Sequence, residues 1–431
     1  MKVILLELNE INFDFVEKYL KSGEDLPAFS NVLNKKIYKT SSENEYEHLE
    51  PWIQWVSAHT GKKFNEHKIF RLGDIVNSNE LQIYEKLEQH GFSVGAISPM
   101  NTKNNLKNPA YFIPDPWTKT KSDNSFLSKI ISSSVSDIVN ENANSKISIK
   151  SFFGLIISFL ILVRPKKFLN FLFYAFSALR KPWRKALFLD KLLHEFHLSL
   201  FKSKSPNFSS LFLNAGAHIQ HHYFFNSSQV ETEFKNPTWY VGNREDPVLE
   251  MLKVYDEIIG ELLGQDVSLI IATGLSQIPY KKKKFYYRLK NHGKFLETLG
   301  INYLEVQPRM SRDFLVKFKS EDLALDAFEM LNSLEDDNGI KFFDSIDNRG
   351  KELFILLTYP EEITEKTFFL NSNFRISAKE NVSFVAIKNG EHNERGFLFL
   401  SDDIKINYDK DGKHVAHIFN LILNLFGIKN P

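Results

Sequence analysis

Short apolar runs, each ending in a polar or glycine-containing turn and interleaved with helix-patterned stretches, constrain this chain more than any other feature. They are Val3–Leu8, Ser93–Ile97, Ser210–Leu213, Ser268–Ala272 and Phe397–Leu400. The first is followed by Asn9-Glu10 and then an amphipathic stretch from Phe13 to Leu20, which is the strand-then-helix start of an α/β fold. The pattern predicts a mixed, mostly parallel central sheet flanked by helices, with ligands placed outside the carboxyl ends of the strands.

The 431 residues, 43% of them hydrophobic and 25% charged, suffice for one large domain with insertions or for two domains. Fifty-four Lys and Arg against 53 Asp and Glu leave a formal charge of +1, so no nucleic-acid partner is expected and any basic site must be local. The absence of cysteine excludes disulfides, thiolate nucleophiles and sulfur-ligated metals together. A metal would need His, Asp, Glu, Asn or backbone oxygen. The same absence suits a reducing cytosol, and a cytoplasmic chain is expected. The opening run, interrupted by Glu7, is too short and acidic for a signal peptide. Phe152–Val163, interrupted by Gly154 and Ser158, falls short of the roughly 20 apolar residues that cross a bilayer.

Two stretches interrupt the α/β pattern. Residues 119–206 open as a Ser/Asn/Lys-rich segment and become helical, with Phe, Leu and basic residues intermixed over 152–201. Residues 308–365 read as a small α+β subdomain: a strand at Phe314–Phe318, a helix at Glu321–Leu334, and strands near Lys341–Phe343 and Glu352–Thr358. The α/β core is thereby divided into 1–118, 207–307 and 366–431.

Several motifs fall where such a core displays ligands. Asn9-Glu10 ends the first strand. Pro51-Trp52-Ile53-Gln54-Trp55 leads into Thr60-Gly61-Lys62 and then His67-Lys68-Ile69-Phe70. Further on come Asn214-Ala215-Gly216-Ala217-His218-Ile219-Gln220-His221-His222, the strand ending in Ala272-Thr273-Gly274-Leu275-Ser276, and Gly390-Glu391-His392. In their order these segments resemble the alkaline phosphatase superfamily, especially its phosphodiesterase and nucleotide pyrophosphatase branch. The likeness covers most of the chain outside the two insertions.

The resemblance implies an enzyme that uses two divalent cations to activate a nucleophile and brace the phosphoryl oxygens. Several of the implied site residues differ here. The first-strand aspartate is Asn9, the aspartate before Gln-His is Ala217, and the Asp-His pair of the third motif is Gly274-Leu275. The nucleophile position falls near Glu50-Pro51, where no hydroxyl exists. Only His221 and His392 match the family's metal histidines, so the set has room for one divalent ion at most. Asn9, Glu10, Glu47, Glu50, His218 and His221 are the candidates for acid/base or nucleophilic work, with or without that ion. Each has an ordinary alternative: Asn9 as a helix cap, the histidines as a packed aromatic segment, Glu391-His392 as a solvated loop.

The basic run Tyr280–His292 follows the third motif. With Gln220 and His222, its Lys281, Lys283, Tyr287 and Arg288 suit a small anionic or glycan substrate, against the alternative of a solvated loop. The basic, apolar helices of 152–201 are either a cap packed on the core or an element lying on the inner membrane face. These features point to a diverged alkaline phosphatase-like hydrolase or transferase acting on a phosphorylated, nucleotide-linked or glycan substrate. The alternative is a catalytically inactive descendant that binds an anionic ligand or a partner protein.

Overall fold

The computed structural model describes residues 1–140, 149–309, 312–405 and 411–429. Residues 141–148, within the Ser/Asn/Lys-rich opening of the first expected insertion, lie outside the described residues. The chain forms two compact units, Met1–Pro279 with Gly390–Pro431, and Tyr280–Asn389.

The first unit opens with β1 (Val3–Leu8), α1 (Phe13–Lys21), α2 (Pro27–Leu33), β2 (Ile37–Ser41), α3 (Pro51–Thr60), α4 (Phe64–His67) and α5 (Ile83–Gln89). There follow β3 (Val94–Ile97), β4 (Tyr111–Ile113), α6 (Phe126–Asn140), α7 (Ile149–Leu162), α8 (Phe168–Ser177) and α9 (Arg184–Lys204). Then come β5 (Phe208–Leu213), α10 (Ala215–Tyr223), α11 (Pro247–Leu263), β6 (Ser268–Ala272) and β7 (Ser276–Leu289), whose later residues enter the second unit. That unit holds α12 (His292–Thr298), β8 (Glu305–Pro308), β9 (Asp313–Lys317), α13 (Glu321–Asn332), β10 (Ser345–Asn348) and β11 (Glu352–Leu356). It continues through β12 (Phe368–Leu370), β13 (Arg375–Ser377), α14 (Ala378–Asn381) and most of β14 (Val382–Asn393). The first unit closes with β15 (Arg395–Leu400), β16 (Lys413–His414) and α15 (His417–Leu425).

Eight strands make one sheet in the order β16-β2-β15-β6-β1-β5-β3-β4. Strands β6, β1, β5, β3 and β4 are mutually parallel, and β15 runs antiparallel to both its neighbours. This is the expected mixed, mostly parallel sheet flanked by helices. β1 is buried along its whole length, as a parallel strand covered on both faces must be. Its residues alternate between layers. Ile4, Leu6 and Leu8 pack with Val16 of α1, Phe29 of α2, Leu192 of α9 and Ile258 of α11. Val3 and Leu5 pack with Trp55 of α3, Leu87 of α5 and Ile422 of α15. Glu7 falls on this second face, where its Oε1 lies 3.0 Å from His59 Nε2 of α3.

In the second unit β10-β11-β9-β8 form an antiparallel sheet with α13 packed on it through Ala324, Ala327 and Leu331. The expected strand near Lys341–Phe343 is instead a corner that buries Phe342 and Phe343. Lys341 makes a single bridge to Glu335, while Phe342 stacks on Tyr359 and packs at a tilt against Phe369, with ring centroids 4.4 and 4.1 Å away. Its apolar character serves a core contact rather than a ladder.

Candidate metal centre

Sheet topology delivers distant segments to one edge. Because β1, β5 and β6 are adjacent and parallel, the residues that follow them, Glu10, α10 and Thr273–Gln277, leave the sheet on the same side. β15 runs the other way beside β6, so the residues that precede it, His392 among them, arrive on that side too.

Glu10 turns the chain out of β1 with φ of 63°, a left-handed conformation that costs a side-chain-bearing residue about 1–2 kcal/mol. Two hydrogen bonds hold it there: its N–H donates to Thr273 O at 3.1 Å, and Gln220 Nε2 donates to its carbonyl at 2.8 Å. The turn aims the buried carboxylate at α10. Glu10 Oε2 lies 3.2 Å from His221 Nε2 and 3.3 Å from His392 Nε2, and the two Nε2 atoms are 3.2 Å apart.

These atoms form a nearly equilateral triangle. A tetrahedron with edges of 3.2–3.3 Å has its centre about 2.0 Å from each corner, which matches zinc–nitrogen and zinc–carboxylate bond lengths. Among the described residues, Glu10, His221 and His392 are the group of metal-ligating side chains whose ligand atoms all lie within 4.8 Å of one another. The donor set therefore fits one divalent ion.

Without a cation the same geometry concentrates charge. Burial pushes the Glu10 carboxyl up, but His392 and His221 override it and hold the group below the usual carboxylate range. Burial pushes the His392 imidazolium down, yet the Glu10 carboxylate raises it to about 9.

A second layer orients the carboxylate, as metal sites require. Gln277 Nε2 donates to Glu10 Oε2 and, at 3.0 Å, to Ala217 O. Asn9 Nδ2 donates to Glu10 Oε1 at 3.1 Å and to Asn214 Oδ1 at 2.8 Å. Trp55 Nε1 donates to Asn9 Oδ1 at 2.8 Å. A Cβ on Gly390 would stand 2.2 Å from Gln277 Oε1 and 2.6 Å from Gln220 O, so only glycine lets the strand bearing His392 approach this closely. Asn9 is not a helix cap. That role belongs to Asn12, whose side chain accepts from Asp14 N–H at 3.0 Å.

The other expected residues divide. Glu50 sits at the N-cap of α3, half-buried, with Oε2 3.7 Å from His392 Nδ1. Glu47 is exposed in a short helical turn nearby. His218 and His222, one helical turn apart, share a face of α10 with ring centroids 5.0 Å apart, and His221 faces Glu10. Gln220 is buried, its amide engaged by the Glu10 carbonyl. Lys281, Lys283, Tyr287 and Arg288 lie on the part of β7 that belongs to the second unit. There Phe285, Tyr287 and Leu289 alternate inward, and Tyr287 OH accepts from Ile363 N–H at 2.8 Å.

Sequence reading missed Gln277, Asn214 and Trp55. Gln277 stands just beyond the third motif, and its position after β6 was the available signal.

No protein-family model matches the sequence, and no curated protein matches it. Among solved structures, the chain is similar to murine ectonucleotide pyrophosphatase/phosphodiesterase 5 at 12% identity and a TM-score of 0.43, over 100% of this chain and 96% of that one. It is also similar to phosphonoacetate hydrolase from Sinorhizobium meliloti in complex with phosphonoformate, at 11% identity, a TM-score of 0.42 and coverage of 97% and 94%. Alkaline phosphatase from the Antarctic bacterium TAB5 is similar at 10% identity, a TM-score of 0.42 and coverage of 100% and 99%.

Proposed function

We propose that this chain is a diverged alkaline phosphatase-like enzyme, a hydrolase or transferase of phosphorylated, nucleotide-linked or glycan substrates, built around a single-ion centre. The convergence of Glu10, His221 and His392 on one point carries this reading. A zinc ion bound there would supply Lewis-acid charge for phosphoryl oxygens. Glu10, His221 and His392 would hold it, and Gln277 and Asn9 fix the Glu10 carboxylate. Glu50, partly exposed at the start of α3 and beside His392 Nδ1, is placed to hold or move a proton. His218 and His222 offer polar contacts to an anionic substrate.

A second reading, a binding protein without turnover, is favoured by the absence of a hydroxyl at Glu50-Pro51 and by the amide at Asn9. Assays of zinc-loaded protein on phosphodiesters, phosphomonoesters and nucleotide sugars separate the two. The enzyme reading predicts turnover of at least one class, lost in His221→Ala and reduced in Glu50→Gln. Turnover unchanged in both variants would place catalysis elsewhere, and no turnover of any class favours the binding protein.

A further inference from the structure

The helices of the inserted stretch turn their large apolar side chains outward. On α7 the exposed residues are Phe153, Ile156, Ile157, Leu160 and Ile161, a stripe at the i, i+3, i+4, i+7, i+8 spacing of one helix face. The inward face carries Gly154, Ser158 and Leu162. A Cβ on Gly154 would come within 2.7 Å of Ile130 Cγ2 on α6. Five large apolar side chains exposed along one helix face run against the arrangement that burial selects for a helix bordered by water.

α8 repeats the pattern. Leu169, Leu172, Phe173 and Phe176 are exposed, Leu179 follows just past its end, and Phe171 and Tyr174 face inward. Leu169 and Leu179 are each 81% exposed and Phe176 is 70% exposed, far beyond the scattered apolar residues of an ordinary surface. Phe159 of α7 packs on Phe168 and Phe171, with ring centroids 4.9 and 5.2 Å away, so the two helices are joined. α9, by contrast, buries Leu187, Leu192 and Phe196 against the core.

Charge selects the occupant of this surface. No Asp or Glu occurs between Ser151 and Leu189. Of the basic residues there, Arg164, Lys167, Lys181 and Arg184 pair with Glu195, Glu257, Glu245 and Glu250. Lys166, Arg180 and Lys185 are exposed and form no ion pair among the described residues. They flank α8 at both ends. A second copy of the chain docked symmetrically would bring like charges together, whereas anionic headgroups would neutralise them. The 14 residues of α7 and 10 of α8 are too few to span a bilayer, and no helix among the described residues is long and apolar enough to cross one.

We propose that α7 and α8 form a monotopic element that sinks its apolar faces into the headgroup boundary of an anionic bilayer, with Lys166, Arg180 and Lys185 on the lipid phosphates. The test is co-sedimentation of the full chain with vesicles of phosphatidylcholine alone or mixed with phosphatidylglycerol, at low and high salt. The chain should pellet with the mixed vesicles at low salt and less so at high salt or without phosphatidylglycerol. The Leu172→Glu/Phe176→Glu variant, altered only at exposed positions, should keep its circular dichroism and stay in the supernatant. Lys166→Gln/Arg180→Gln/Lys185→Gln should weaken binding to mixed vesicles by about 100-fold, roughly fivefold per cation, and leave binding to phosphatidylcholine unchanged. Failure of the unaltered chain to pellet with either vesicle, or pelleting that neither variant reduces, would overturn the proposal. So would a salt-resistant dimer that Leu172→Glu/Phe176→Glu dissociates, which would assign the surface to a second copy.

Discussion

His221 and His392, 171 positions apart in the chain, bring their Nε2 atoms to 3.2 Å of each other across the carboxylate of Glu10. Two ring nitrogens in that position need either a shared proton or a shared cation between them. The spacing around Glu10 Oε2 suits the cation, because all three separations match one tetrahedral ion.

The second layer should control affinity for that ion. Gln277→Ala removes the amide that orients Glu10 Oε2, and Gly390→Ala drives a methyl group into Gln277 Oε1. Each should weaken zinc binding by about 10–100-fold, measured by competition against a chromophoric chelator, while leaving the circular dichroism spectrum unchanged. Affinity equal to that of the unaltered chain would show that Gln277 does not act on the site.

Asn9→Asp converts a donor into a second carboxylate. Asn9 Nδ2 now satisfies both Glu10 Oε1 and Asn214 Oδ1, and an aspartate would set oxygen against oxygen at both contacts. The metal-free variant should lose about 1–3 kcal/mol of stability in urea unfolding, and saturating zinc should recover much of it. A variant as stable as the unaltered chain without metal would contradict the assigned hydrogen bonds.

Trp55→Phe keeps an aromatic ring in the buried site but removes the N–H that Asn9 Oδ1 accepts, together with part of the indole that lies against Gly274. Leaving that buried oxygen without its donor should cost about 1–3 kcal/mol, read by thermal or urea unfolding. No loss would mean that Asn9 finds another donor.

Acid sensitivity should come partly from His67. The ring is buried, its Nδ1 accepts from Ile69 N–H at 2.9 Å, and its Nε2 lies 3.1 Å from Ser57 Oγ. Burial lowers its pKa from 6.5 to about 4. The unfolded chain therefore binds the extra proton first, so this contribution is complete above about pH 6.5 and is lost as pH falls through about 4. Between neutral pH and about pH 4, the unaltered chain should lose roughly 3 kcal/mol more than His67→Gln, at about 1.4 kcal/mol per pKa unit. Parallel stability profiles for the two proteins would contradict it.

The sheet was legible in the sequence because its central strands are buried on both faces and so appear as short, mostly apolar runs. Val3–Leu8 and Ser268–Ala272 coincide with β1 and β6. Glu10, His221 and His392 were legible through the order of motifs that end or precede strands. Gln277 and Asn214 were not, because their value depends on β6, β1 and β5 being neighbours; Trp55 was not, because its value depends on α3 packing on that sheet, and neither strand order nor helix packing is written in local pattern. Lysines hid β7 in a different way: the run Lys281–Lys284 masks the alternation of Phe285, Tyr287 and Leu289, so the segment read as a basic substrate-facing stretch or a solvated loop rather than as a strand. The pairing of Phe342 with Tyr359 and Phe369 shows the converse, an apolar pair that reads as strand and folds as a corner.

The most direct test of the centre is the metal content of the purified chain after dialysis against trace zinc, measured by inductively coupled plasma mass spectrometry. The structure predicts one zinc ion per chain, absent from Glu10→Gln, His221→Ala and His392→Ala. Metal-free protein, a second ion, or full occupancy retained in all three variants would contradict it.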